Sequence, residues 1–256
     1  MICYFNGEYT SNDKILLNIN DNAFTRGYGA YACIRTYNKI PFYLEKHLNR
    51  LRFTIDELSI EQPTDNIEVI IKNLLDKNEG TKELVFRIYA TESSLIISTE
   101  PLVSPSENQC KNGISTITTK LSRTLPHIKS TNYTCAMIAI KEAQKRNAEE
   151  AIYLDRDDNL LELTRANFFA IIGDTIYTAN DSILHGITRD ITLKIAKNIG
   201  FNISDKPLHY KDIQKCDEAF LTSTIKEILP ITKIDDFIIP RGDKVDVLLT
   251  HFNKTK

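Results

Sequence analysis

A few separated places in this chain carry side chains whose types and spacing could do chemistry. Lys129 lies in L-P-H-I-K-S-T-N-Y, between a proline-marked connection and the start of a helix. Most lysines are solvated ammonium groups, but a lysine in its neutral form is a nucleophile and a base. Glu162 sits among apolar residues in N-L-L-E-L-T-R-A-N-F-F, where a carboxylate could cap a turn or pair with Arg165. Gly186-Ile187-Thr188-Arg189-Asp190 brings backbone N–H groups, a hydroxyl and a helix dipole to one point. That is an anion site without a glycine-rich loop, or simply an N-capped helix. Thr222-Ser223-Thr224 ends a strand in hydroxyls that could bind phosphate or cap a turn. Arg50 falls on the flank of a helix, off its apolar stripe, where exposure is the default. An amine, an acid and phosphate-friendly groups are the common theme.

Other signals fail. Gly27-Tyr28-Gly29-Ala30-Tyr31-Ala32 has the spacing of a dinucleotide fingerprint, but Asp21–Arg26 before it is no buried strand. Asp155-Arg156-Asp157-Asp158-Asn159 begins like a calcium loop. Leu160 then stands where glycine is required and Ala166 where a bidentate glutamate is required, so a tight hairpin turn is the expectation. The cysteines (Cys3, Cys33, Cys110, Cys135, Cys216) form no C-x-x-C pair, and the histidines (47, 127, 185, 209, 251) stand alone, so no metal site is expected. Scattered cysteines suit reduced thiols in a cytoplasmic protein. With 32 Lys+Arg against 34 Asp+Glu, the net charge of −2 gives no reason to bind nucleic acid or an anionic membrane. No stretch approaches the ~18 apolar residues of a membrane span. M-I-C-Y-F-N-G-E-Y reads as strand, turn and strand, not as a signal peptide. Nine glycines stand where roughly 18 are usual for the length, so a phosphate loop of clustered glycines is not expected.

The elements that must position these groups follow from periodicity. The 256 residues, 42% hydrophobic and 26% charged, suit one large or two small globular domains. Strands are predicted at Ile2–Phe5 and Lys14–Leu17, then a hairpin through Asn38-Lys39. Leu44, Leu48, Leu51, Ile55 and Leu58 share one helical face, and Ile67–Leu75 forms a second helix. Strands follow at Glu83–Ala90, Leu95–Thr99 and Gly113–Thr119. The second half opens with a helix over Tyr133–Arg146 and strands at Ala151–Leu154, Leu160–Leu163, Phe168–Ile172 and Thr175–Tyr177. A helix over Thr188–Ile199 takes a threonine N-cap and ends at Gly200. Strand Glu218–Leu221, a loop broken by Pro230, strand Phe237–Ile239 and a helix from Lys244 close the chain. Hairpin-like runs of strands with helices between them predict an α+β protein of two halves, not a doubly wound sheet.

Several motifs in order now carry a resemblance: L-P-H-I-K-S-T-N-Y, E-L-T-R-A-N-F-F, H-G-I-T-R-D and D-E-A-F-L-T-S-T-I-K-E-I-L-P-I. With F-N-G-E, D-N-A-F-T-R-G-Y-G and H-L-N-R-L, the chain resembles the class IV, fold-type IV pyridoxal-phosphate aminotransferases nearly end to end. These include branched-chain and D-amino-acid aminotransferases and aminodeoxychorismate lyase. The resemblance implies two small α/β domains of the D-amino-acid aminotransferase-like fold, with the active site in the inter-domain cleft. Residues 1–119 would form the N-terminal α+β domain, 120–128 the connection and 129–256 the cofactor-binding domain. Pyridoxal 5′-phosphate would be the cofactor, the small-molecule substrates an amino acid (branched-chain-type or D-) and a 2-oxo acid such as 2-oxoglutarate, and the assembly a homodimer.

The resemblance also implies roles. Lys129 would form the Schiff base and shuttle the Cα proton, and Glu162 would keep the pyridine nitrogen protonated. Arg50, Ile187, Thr188, Ser223 and Thr224 would hold the phosphate. Tyr133 would meet the phenolic oxygen, one residue nearer the lysine than in branched-chain enzymes. Tyr31, Arg35 and Arg87 match substrate-facing positions, and the two arginines together would suit a dicarboxylic partner such as 2-oxoglutarate. The Arg-x-His pair of typical D-amino-acid enzymes is replaced by Thr91-Glu92-Ser93. Two activities are implied: transamination, which Arg35 and S-T-N-Y favour, and pyruvate elimination of the aminodeoxychorismate lyase kind.

Overall fold

The computed structural model describes residues 1–256, which divide into two compact units. The first comprises Met1–Val103 with Ile128–Tyr133, the second Ser104–His127 with Thr134–Lys256.

In the first unit, β1 (Ile2–Phe5), β2 (Glu8–Ser11), β3 (Ala30–Tyr37), β4 (Ile40–Pro41), β5 (Leu84–Ala90) and β6 (Leu95–Pro101) form one sheet in the order β2-β1-β6-β5-β3-β4. Every pairing is antiparallel. Between the strands lie α1 (Asn22–Arg26), α2 (Leu44–Glu57) and α3 (Ile67–Lys77). The stripe Leu48, Leu51 and Ile55 of α2, with Ile71 and Leu74 of α3, packs against Ala30, Ala32, Ile34, Phe86, Ile88 and Ile97. Strand alternation therefore sends Tyr31, Cys33 and Arg35 to the other face of the sheet. Ile128 is also buried in this core, which is why the residues around it belong to the first unit.

The second unit holds α4 (Glu107–Asn112), β7 (Ile114–Thr119), α5 (Thr134–Lys145), β8 (Glu150–Leu154), β9 (Leu160–Leu163), β10 (Asn167–Ile172), β11 (Thr175–Tyr177), α6 (Ile187–Asn198), β12 (Asn202–Ser204), β13 (Glu218–Ser223), β14 (Glu227–Ile234), β15 (Phe237–Ile238) and α7 (Lys244–Asn253). Its strands run β12-β11-β10-β13-β14-β7-β8-β9, with β15 on β14. β9 also pairs with β10, through Glu162 and Asn167, so the six strands from β10 to β9 close on themselves. Parallel pairs β7/β8 and β11/β12 frame α5 and α6 as crossovers, and the remaining hairpins are antiparallel. The α+β class is as expected. No helix is long and apolar enough to cross a membrane.

The structure departs from the sequence reading in local places. Lys14–Leu17 is no strand: a 3-10 turn over Asn12–Lys14 follows β2, and Leu16 and Leu17 are exposed. Helices α1 and α4 lie in stretches without an apolar stripe, where Asp21 caps the first and Ser106 with Gln109 forms a capping box on the second. Pro230 breaks nothing. It lies inside β14 opposite Phe220, and pairing with the parallel neighbour β7 begins only at Ile231, opposite Ile114. The units also divide elsewhere than at residues 119 and 129, because β7 is a strand of the second sheet while Ile128–Tyr133 returns to the first. Asp155 does build the hairpin turn, accepting from the N–H groups of Asp157 and Asn159.

Gly113, after α4, has φ +74° and ψ −176°, a conformation open essentially to glycine alone. A Cβ there would stand 2.7 Å from Thr232 Cγ2 and 3.0 Å from the Pro230 carbonyl. Gly113→Ala is expected to cost about 1–3 kcal/mol in denaturant unfolding. An unchanged midpoint would contradict this strain.

Candidate active site

Lys129 is held through its main chain. Tyr31 N–H donates to the Lys129 carbonyl at 2.8 Å, and Thr131 N–H donates to the Gly29 carbonyl at 2.8 Å. Lys129 N–H donates to Thr54 Oγ1 of α2 at 3.2 Å. An isolated bridge between Ala30 and Ser130 completes the attachment. Gly27 makes the approach possible: it ends α1 in the left-handed conformation, and a Cβ there would lie 3.1 Å from Asn132 Cα. Helix before strand is also the reverse of a dinucleotide fingerprint. The half-buried Lys129 side chain then rises beside Tyr31, with Nζ 5.1 Å from the ring centroid.

One turn into α2, His47 is 2% exposed, and its Nδ1 has no hydrogen-bond partner. Burial, with the charges of Arg50 and Lys129, pushes this imidazole well below its ordinary value, so it is neutral. Arg50 is half-buried, and both it and Lys129 act on the same ring.

Tyr31, Cys33 and Arg35 of β3 stand opposite Tyr89, Arg87 and Val85 of β5, and these in turn opposite Ile96, Ser98 and Glu100 of β6. Arg87 Nη1 donates to Tyr31 Oη at 2.6 Å, and Nε donates to Glu100 Oε1 at 2.9 Å. Burial pushes the Tyr31 phenol up, so it keeps its proton while accepting from Arg87. Tyr133 meets Tyr31 edge-on, centroids 6.2 Å apart. Arg35 is set differently: it is 6% exposed and stacks 4.1 Å over the Tyr37 ring. Thr91 and Ser93 both donate to Asp21 Oδ2 and so belong to the turn after β5.

In the second unit, closure of the strand ring buries Glu162 to 3% exposure. Its carboxylate accepts from Leu184 N–H at 3.2 Å and Asn167 Nδ2 at 3.3 Å, and faces Arg123 Nη1 at 3.4 Å. Arg165 pairs with buried Glu150 instead, which removes the alternative of a Glu162–Arg165 pair. Asn167 also donates to the Leu184 carbonyl at 2.7 Å, and a Cβ on Gly186 would stand 2.2 Å from its Oδ1. Gly186, not Thr188, is the N-cap of α6, and no side chain caps that end. Ile187 and Thr188 therefore present first-turn N–H groups, as an anion requires. At the turn between β13 and β14, Ser223 Oγ accepts from Lys226 N–H at 3.0 Å and keeps its own proton to donate. Thr224 is half-buried in the same turn. Thr222 is inside the sheet opposite Asn167, its hydroxyl buried without a partner.

The family profile described as amino-transferase class IV matches residues 29–234. The chain belongs to the class IV aminotransferases. This aminotransferase chain is 32% identical over 256 residues to a D-alanine aminotransferase of Bacillus licheniformis, covering 93% of this chain and 90% of that one. It is 28% identical over 253 residues to the aminodeoxychorismate lyase of Bacillus subtilis, covering 91% and 86%. The branched-chain amino acid aminotransferase of Escherichia coli shares the fold, with a TM-score of 0.90 at 22% identity over 99% of this chain and 93% of that one.

Sequence reading missed Asn167, Arg123, His47 and Glu100. Asn167 carried a signal, being a polar residue in a strand otherwise apolar. Glu100 becomes visible only once strands are paired, Arg123 only once it faces Glu162, and His47 only once α2 is buried. The neutral His47 gives a pH signature. Below pH ~6.5 the unfolded chain takes a proton there that the folded chain refuses, so stability falls by up to about 1.4 kcal/mol per pH unit. His47→Gln should lose less stability than wild type between pH 7.5 and pH 5.5 in urea unfolding. Equal losses would contradict a neutral buried imidazole.

Proposed function

We propose that this chain is a pyridoxal-phosphate-dependent aminotransferase that moves an amino group between an amino acid and a 2-oxo acid. Membership of the class IV family supports the reaction class. The observation that carries the reading is Lys129, fixed by both of its own backbone groups with its amine beside Tyr31.

The donor set suits the cofactor. An uncapped helix end with Ile187 and Thr188 and the Ser223 and Thr224 hydroxyls suit a phosphate, and Arg50 would add a guanidinium. Bound pyridoxal phosphate supplies an aldehyde that condenses with amines and a ring that withdraws electrons from the substrate Cα. Lys129 Nζ is the amine that anchors it and the base that takes and returns the Cα proton. Glu162, aimed by Asn167 and the Leu184 N–H, holds a proton at the ring nitrogen. Tyr133 orients the phenolic side of the ring, Tyr31 and Arg87 line the substrate's side, and Arg35 lies on the same sheet face, buried and stacked on Tyr37. A cytoplasmic homodimer is part of this proposal, on the strength of the family resemblance.

With added pyridoxal phosphate, the purified protein is expected to gain a band near the visible edge and to turn over amino acid with 2-oxo acid. Lys129→Ala should lose roughly 10²–10⁴-fold of that turnover. A panel of L- and D-amino acids reads the stereochemistry. Turnover of aminodeoxychorismate with no reaction towards amino acids would replace transamination by the lyase reaction. A wild type that binds no pyridoxal phosphate would overturn the proposal.

A further inference from the structure

Lys129 begins a connected row of side chains whose far end is charged. Its Nζ lies 5.1 Å from the Tyr31 ring, and Tyr31 Oη accepts from Arg87 Nη1 at 2.6 Å. Arg87 Nε then donates to Glu100 Oε1 at 2.9 Å, and Nη2 donates to the same oxygen. Strand register puts these groups on one face: Tyr31 opposite Tyr89, Cys33 opposite Arg87, Arg35 opposite Val85, and Val85 opposite Glu100. Both charged side chains remain accessible, Arg87 at 32% and Glu100 at 45%.

An arginine without an acidic partner at this point would draw a second carboxylate on the substrate. Here the guanidinium fork is already turned onto Glu100, and Glu100 takes both bonds on Oε1. A substrate carboxylate arriving at this end meets a neutral pair whose outer member is another carboxylate, which repels it. Arg35 does not take over, being buried and stacked on Tyr37. The Thr91 and Ser93 hydroxyls do not either, since both are bonded to Asp21.

We propose that Glu100 is a specificity-determining residue: by neutralising Arg87 it sets the site against side-chain carboxylates and in favour of amino acids with uncharged side chains. This rests on the aminotransferase reading of Lys129, and it narrows the dicarboxylic expectation drawn from Arg35 and Arg87.

The test is the amino-acid half-reaction of the protein loaded with pyridoxal phosphate, followed by decay of the cofactor band. Alanine and glutamate are compared, each as both enantiomers. Wild type should favour alanine over glutamate of the same hand by at least tenfold in kcat/KM. Glu100→Gln should shift that ratio towards glutamate by at least tenfold, and Glu100→Ala should shift it in the same direction. The cofactor band reports that each variant is folded. Equal rates for the two substrates in wild type, or an unchanged ratio in variants that keep the band, would overturn this inference alone. A wild type with no band would overturn the aminotransferase reading as well.

Discussion

The main-chain bonds between β3 and residues 129–131 are the constraint on which the chemistry of the first unit depends. Tyr31 N–H to the Lys129 carbonyl, and Thr131 N–H to the Gly29 carbonyl, dock a connecting segment onto the start of a strand as though it were another strand. Each such bond contributes only about 1 kcal/mol net, yet together they remove the backbone freedom a loop lysine would otherwise have. Burial of Ile128 on the core side anchors the same segment from below. What alternates along β3 then follows by geometry. Ala30, Ala32 and Ile34 go to the helices, while Tyr31, Cys33 and Arg35 go to the face where Lys129 and Arg87 meet Tyr31.

The second unit solves a different problem, burying a carboxylate and leaving a helix end open. Pairing of β9 with β10 sets Glu162 opposite Asn167, and Asn167 bonds Glu162 and the Leu184 carbonyl while lying against Gly186 where a Cβ would stand. The shortage of glycine is consistent with this design. The proposed phosphate groups of this unit, one helix N-terminus and hydroxyls, would need glycine only where backbone and side chain crowd, and Gly186 against Asn167 is that place.

Much of this was legible in the sequence, for reasons that can be named. The helices α2, α3 and α5 carry strong apolar periodicity, and β1, β5, β6 and β9 to β11 are bounded by turn residues, so their existence and approximate limits could be read. The short helices α1 and α4 depend on caps in stretches without an apolar stripe, which periodicity does not register. Pro230 misled because its tolerance depends on where pairing with the neighbouring strand begins. At the site, Lys129 and Glu162 were recognisable only through motif order. Nothing local distinguishes Lys129 from an exposed lysine, and the bonds that hold it come from Gly29, Tyr31 and Thr54, far away in sequence. The Arg87–Glu100 pair was invisible for the same reason: its two members meet only when β5 and β6 take their register.

The claim at the centre of this account is that Lys129 is the residue that bonds the cofactor. Borohydride reduction of the protein loaded with pyridoxal phosphate, followed by proteolysis and mass spectrometry, reads it directly. The account predicts a pyridoxyl mass increment on the peptide containing Lys129, at that residue alone. An increment on another lysine, with the Lys129 peptide unmodified, would contradict it.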